Sequence, residues 1–250
     1  MGADLYHTFA FPHVEEVPPG SRIVTGITAH VWETWGADRV RTWAMKAVAV
    51  HANSRLLETE MRELLPSAAV FYAPNGVCPK QFHRTRPRAV VDRLVVGHIG
   101  KPNPRKGAAI IERACEIAGV ELRTIQRRSS EALPVEAMLD FYQDLHLTAT
   151  ASNMDGTPNP ALEGAACEVA PLSNRIGNMP EFIEGGANGF LVERDVDAYV
   201  ERLRWAKDHL GEVEAMGRAA RWTVLDEWSW RRQSEWVRTL WRAALEGDPR

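Results

Sequence analysis

The sequence predicts an α/β protein built on parallel sheets, and two observations carry that prediction. From about residue 92 onward, short apolar runs alternate with stretches of helical periodicity. Glycines and prolines mark the junctions, as at Gly107, Gly119, Pro134 and Pro160. Strands that alternate with helices at this spacing imply a parallel sheet with both faces covered.

Taken in order, RIVTGIT (22–28), AVAV (47–50) and AVFYA (69–73) read as strands, with a helix between Ser54 and Leu65. This first stretch, residues 1–85, is α/β with few strands. LVVGHIG (94–100) is a buried strand that ends in a glycine turn. Lys106-Gly107 opens a helix whose one face carries Ile110, Ile111, Ala114, Ile117 and Ala118, and Gly119 ends it. VELRTI (120–125) is the next strand, PVEAMLDFYQD (134–144) a helix and LHLTATAS (145–152) a strand. A helix from Pro160, a strand VAPLS (169–173), a short helix PEFIEGG and a strand GFLV (189–192) follow. From Asp195 the tail reads as three helices, the last with an apolar stripe of Trp236, Val237, Leu240, Trp241, Ala244 and Leu245. Such a stripe is usually core packing rather than a ligand surface.

Composition narrows the function classes. A chain of 250 residues with 45% hydrophobic content buries a large core, as one large domain or two small ones. A net charge of −3 gives no global basic signature for nucleic acid. Cys78, Cys115 and Cys167 are too scattered for a disulfide framework or zinc cluster, and Cys115 and Cys167 read as buried thiols. No apolar run is long enough to span a bilayer, and the N-terminus has no basic-then-apolar signal pattern. The expectation is a soluble, cytoplasmic protein.

In parallel sheets, ligands bind beyond the carboxyl ends of the strands, which directs attention to loops 100–106, 126–133, 152–160 and 173–180. One of them begins DGTPNPALEGAACEVAP, where Asp155 and Glu163 stand eight positions apart. Pro158 and Pro160 exclude a single helix through both acids. The segment reads as a loop that carries Asp155 into a helix near Pro160, with Asn159 as cap and Glu163 in the first turn. A helix start offers backbone N–H groups and a positive dipole end to phosphate. Two acids beside such a seat are tolerable when they accept hydrogen bonds from sugar or ribose hydroxyls. The alternative is a solvated loop and an ordinary surface helix.

The order of the motifs is familiar. FYQDLHLTATASNMDGTPNPALEGAACEVAPLSNRIGNMPEFIEGGANGFLV resembles the carboxyl-terminal domain of the retaining GT-B glycosyltransferases of family 4. VVGHIGKPNPRKG is similar to that family's strand, basic loop and Lys-Gly helix start. FYAPNGVCPKQFHR resembles its interdomain segment, and DLYHTF, RIVTGITAH and AVHANSRLLE resemble three stations in its first domain. The resemblance implies two Rossmann-like parallel-sheet domains in a GT-B-like arrangement. Residues 1–88 would form a shortened, acceptor-side domain joined by the C-terminal helix 228–250, and residues 89–227 a nucleotide-sugar-binding domain. Three departures stand out. Asp155 replaces the usual Glu, shortening the reach by roughly 1.5 Å. Glu168 stands where the family has Gly. The segment between VELRTI and PVEAM is short.

The resemblance also implies site roles. Glu163 would accept from both ribose hydroxyls, and Asp155 would hold hydroxyls of the transferred sugar. Backbone amides from Gly156 to Ala161, with Thr157 and Asn159 in the same loop, would carry the diphosphate. Lys106, with Lys101 or Arg105, would neutralise the leaving phosphates, where transition-state charge grows. A lysine at a helix start is otherwise unfavourable against the dipole. His30 matches a family histidine near the reaction centre, although a histidine at a strand end is commonly structural. No acid-rich metal cluster lies in the candidate loops, in keeping with a metal-independent reaction without a cofactor beyond the nucleotide-diphosphate sugar itself.

The resulting expectation is a retaining glycosyltransferase that moves a sugar from a nucleotide-diphosphate donor to a hydroxyl acceptor. A second reading is a catalytically degenerate sugar-nucleotide-binding module. A third gives the enzyme a macromolecular acceptor, such as modified DNA or a surface glycan, because a reduced first domain leaves an open cleft. The small first sheet would need cover from the tryptophan-rich tail and from a second subunit, hence a homodimer.

Overall fold

The computed structural model describes residues 5–29, 32–88, 92–101, 103–126 and 133–246. Two parallel sheets organise it. The first runs in the order β1 (Tyr6–Thr8), β2 (Ile23–Ile27), β3 (Ala49–Ala52) and β4 (Val70–Tyr72). Between its strands lie a 3-10 turn at Phe11–Glu16, then α1 (Trp32–Trp35) and α2 (Ala37–Ala44), then α3 (Arg55–Leu64). Ser54 starts α3 by accepting a hydrogen bond from the Leu57 amide, as a cap residue should. One face of the sheet packs Ile23, Ile27, Val50 and Ala52 against Phe11, Val40, Trp43, Leu57 and Met61.

The second sheet comprises β5 (Val95–Gly100), β6 (Glu121–Gln126), β7 (Leu147–Thr150), β8 (Ala170–Asn174) and β9 (Phe190–Val192). Its order, β6-β5-β7-β8-β9, is that of a doubly wound fold. The winding reverses between β5 and β7, so the loops after these two strands border a crevice at the switch point. The crossover helices are α4 (Ala108–Ala118), α5 (Val135–Gln143), α6 (Asn159–Ala166) and α7 (Met179–Phe182). Then α8 (Val196–Asp208) and α9 (Leu210–Thr223) complete this unit. Gly119 ends α4 in the left-handed conformation, with φ 64°.

A π turn at Val224–Trp228 leads into α10 (Trp230–Glu246), which returns to the first sheet. Val77 and the chain at Trp228 to Trp230 exchange backbone hydrogen bonds, both 3.0 Å, where the two crossings between units meet. Leu240 and Ala244 of α10 are buried against Val24, Ala49 and Ala73. Arg22 donates to the carbonyls of Ala244 and Leu245. Trp236 and Trp241 of the apolar stripe remain about half exposed, so only part of that stripe is core.

Several sequence expectations shift. The third strand begins at Ala49 rather than Ala47 and includes the buried His51. Helix α6 begins at Asn159 with Pro158 at the cap and no side-chain cap bond, so Asn159 is not the cap. Glu163 is therefore the fifth helical residue, in the second turn. Glu168 takes φ 63°, the left-handed conformation that favours glycine, and its carboxylate lies 3.4 Å from Arg84. Cys115 and Cys167 are buried thiols that desolvation pushes up to about 12. Among the described residues no helix is long and apolar enough to cross a membrane.

Candidate functional site

The site is built from the two loops at the switch point. After β5 the chain forms a 3-10 turn, Pro104–Lys106, capped by Asn103 through the Arg105 amide. Gly107 then turns left-handed, φ 70°, before α4. A Cβ there would lie 2.0 Å from the Ala151 carbonyl oxygen, so glycine lets this loop close on the end of β7. The Arg105 carbonyl accepts from the Asn153 amide at 2.9 Å and from the Ser152 hydroxyl at 3.2 Å, which ties the two loops together. Lys106 is thus the last residue of a short turn rather than the first of the helix.

This closure brings Lys106 Nζ to 2.5 Å from Asp155 Oδ2. Burial raises the Asp155 carboxyl above the usual range; the Lys106 charge and the Gly156 amide oppose that shift. Arg105, in the same turn, is exposed and donates to the Met154 sulfur at 3.2 Å. Lys101 is exposed at the mouth of the loop.

The loop that carries Asp155 is held from the β8–α7 side. Asn178 donates its amide N–H to the Gly156 carbonyl and its side-chain amide to the Thr157 hydroxyl, each at 2.9 Å. Gly177, at φ 53°, approaches so closely that a Cβ would lie 2.2 Å from the Gly156 oxygen. At the start of α6 the amides of Asn159 and Ala161 already donate to Thr157 and Pro158 carbonyls, and Pro160 has no N–H. The helix start therefore presents fewer orphan donors than expected from the sequence. Asn159 accepts from the Asn75 side chain at 3.3 Å, across from the first crossing between units. Glu163, in the next turn, accepts from the buried Tyr142 hydroxyl at 2.7 Å.

The first unit meets this loop at Gly156. A Cβ on Gly156 would lie 2.0 Å from Asn53 Oδ1 and 2.5 Å from the Thr28 carbonyl oxygen. Asn53 is buried, and its Oδ1 has no hydrogen-bond partner among the described residues. The segments just beyond β2 and β3 thus meet the loop that follows β7. A second link lies nearby, where Glu181 accepts from the Arg55 amide at 2.7 Å and from the Tyr72 hydroxyl at 2.6 Å. His30 lies outside the described residues.

Asn53, Tyr142, Asn178 and Glu181 join the site without any motif that singles them out. For Asn53 the HANSR stretch held a signal, since a polar residue just before a helix cap at a strand's carboxyl end faces the crevice. For Tyr142 none existed, because its partner lies on another helix.

Comparisons agree with this architecture. The sequence profile of the family described as "Glycosyl transferases group 1" matches residues 80–208. The chain is 30% identical over 207 residues to a GDP-mannose-dependent alpha-(1-6)-phosphatidylinositol monomannoside mannosyltransferase of Mycolicibacterium smegmatis. That match covers 66% of this chain and 54% of the relative, so the chain spans about half the relative's length. The fold is similar to that of sucrose-phosphate synthase from Thermosynechococcus elongatus, with TM-score 0.79 and 13% identity over 97% of this chain and 74% of that one. It is equally similar to HepE from Anabaena, solved with UDP and glucose, with TM-score 0.79 and 14% identity over 96% and 78% of the two chains. Two Rossmann-like parallel-sheet units in the GT-B arrangement, together with the profile match over half of its length, place the chain in the glycosyl transferases group 1 family.

Proposed function

We propose that the chain transfers a sugar from a nucleotide-diphosphate donor to a hydroxyl acceptor, with retention at the sugar carbon and without a metal. The observation that carries the reading is the convergence of Lys106 and Asp155 from the two loops that flank the switch point of the second sheet. A cation there meets the leaving diphosphate, and a carboxylate beside it meets sugar hydroxyls. The mycobacterial relative is named for GDP-mannose and the Anabaena neighbour was solved with UDP and glucose, which supports a nucleoside diphosphate sugar as the donor class.

In this account Glu163, oriented by Tyr142, accepts from the ribose hydroxyls. Gly156, Thr157 and Asn159 border the diphosphate, and Lys101 and Arg105 add positive charge at the mouth. His30 serves the transferred sugar. The sugar C1–O bond breaks toward the leaving phosphate, which takes the electron pair. The acceptor oxygen attacks C1 from the same face, and its proton passes to the departing phosphate oxygen. Stabilising charge on that phosphate is the chief contribution of the preorganised cations.

The test is a panel of UDP-, GDP-, dTDP- and CDP-sugars, read as release of free nucleoside diphosphate. One donor should give turnover that Lys106→Met reduces by at least a hundredfold. No release from any donor, with or without simple glycoside acceptors, would overturn the reading.

A further inference from the structure

Lys106 and Asp155 form a close ion pair between the chain's own side chains, 31% and 15% exposed. An ammonium is a compact point charge, and a second anion close to it repels the first unless one of them is displaced. The backbones on either side are closely packed. Gly107 is packed on the Ala151 carbonyl, and Gly156 is clasped by Gly177 and Asn178 on one side and by Asn53 and Thr28 on the other. Rotation of the two side chains is the smallest rearrangement that makes room.

The geometry points to an exchange: the donor's diphosphate draws the Lys106 ammonium off Asp155, and the carboxylate so released takes the hydroxyls of the donor's sugar. This rests on the reading of the site as one for a nucleoside diphosphate sugar. It adds a coupling that neither residue has alone. A carboxylate in this crevice, deprived of its ammonium, needs new donors. An intact donor brings them on its sugar ring. A free nucleoside diphosphate takes the lysine and returns nothing to the carboxylate.

Two consequences follow. The site distinguishes donor from by-product although both carry the same nucleotide and the same two phosphates. After transfer the sugar no longer holds Asp155, the carboxylate reclaims Lys106, and the nucleoside diphosphate loses its cation and leaves. The short side chain of Asp155 suits this double duty, since it already reaches Lys106 and is gripped at its own backbone by the Gly156 neighbourhood.

The exchange predicts an effect of opposite sign on the two ligands, which a merely structural role for the pair does not. Titration calorimetry with GDP, UDP, GDP-mannose and UDP-glucose on the full chain reads it directly. In Asp155→Asn, which keeps the shape and removes the charge, the nucleoside diphosphate that the wild type binds should bind about five- to tenfold tighter. The matching sugar nucleotide should bind at least fivefold more weakly. Asp155→Glu, which can again pair with Lys106, should restore the wild-type affinity for the diphosphate. If Asp155→Asn does not fold, Asp155→Ser reads the same sign. Wild-type binding of a diphosphate that is unchanged or weakened in the neutral variants overturns the exchange and leaves the donor site standing. Binding of none of the four ligands by the wild type overturns the donor site and the exchange with it.

Discussion

The Tyr142 hydroxyl donates to Glu163 Oε2 at 2.7 Å, linking the helix before β7 to the helix after it. Tyr142 is fully buried, so its hydroxyl is fixed by the core and fixes the carboxylate in turn. With Glu163 on the ribose, as proposed, a residue that orients it through one hydrogen bond should affect nucleotide affinity more than fold. Tyr142→Phe should weaken nucleoside diphosphate binding by about 1 kcal/mol, roughly fivefold, as loss of one hydrogen bond warrants. Calorimetry checks it, and an unchanged affinity would separate Tyr142 from the nucleotide site.

Glu181 spans the two units by accepting from the Arg55 amide and the Tyr72 hydroxyl. Glu181→Ala leaves both donors without this partner in a partly buried place. A loss of about 1–3 kcal/mol in urea unfolding is expected. Unchanged stability would show that water replaces the carboxylate at no cost.

Gly156 is one point at which the first unit touches the switch-point loop. Gly156→Ala places a methyl against Asn53 and the Thr28 carbonyl, so one unit must back away. Small-angle scattering should show the two units farther apart, and turnover should fall at least tenfold, since the proposed transfer needs both units in register. Identical scattering and turnover would rule out this contact as the closure point.

Acid should weaken the fold through two histidines. Burial holds His51 at about 3, with the neighbouring His7 adding to the effect. Burial also holds His146 at about 4, with Arg88 adding to it, and its Nδ1 accepts from the Val95 amide at 3.1 Å. Both folded values are depressed, so the unfolded chain takes up protons first as pH falls below about 6.5, and stability falls with it. Two such groups cost about 2.5 kcal/mol between pH 7 and pH 5.5. The buried carboxyls of Asp155 and Glu181, shifted up, offset part of this loss as they protonate in the native state. Urea titrations at the two pH values check the slope, which His146→Asn should roughly halve. A flat profile would contradict the buried, neutral imidazoles.

The second sheet was legible because runs such as LVVGHIG are apolar, glycine-bounded and spaced by one helix each. The first unit was less so. Three partly buried residues, Tyr6–Thr8, make β1, and so short a strand carries no periodicity. Helix α2 has three charged residues among its eight and shows the core only Val40, Trp43 and Ala44. His51 hid the end of β3, since a polar residue buried under aromatic neighbours reads as a boundary. In the candidate site, residue types and loops were visible, but contacts between them were not. Lys106 and Asp155 lie far apart in sequence and meet because β5 and β7 are neighbours in the sheet. The cap at Pro158 rather than Asn159 moved Glu163 into the second turn, a shift that only backbone geometry decides.

In the proposed site α6 and the loop before it bind the nucleotide, with Glu163 on the ribose. Thermal melting with and without saturating GDP or UDP tests it most directly, since a ligand that binds only the native state raises its melting temperature. The wild type should gain several degrees with one of the two nucleotides. Glu163→Ala should melt within a few degrees of the wild type alone and lose most of the ligand-induced gain. Equal gains in both proteins, or no gain in the wild type with either nucleotide, would contradict the claim.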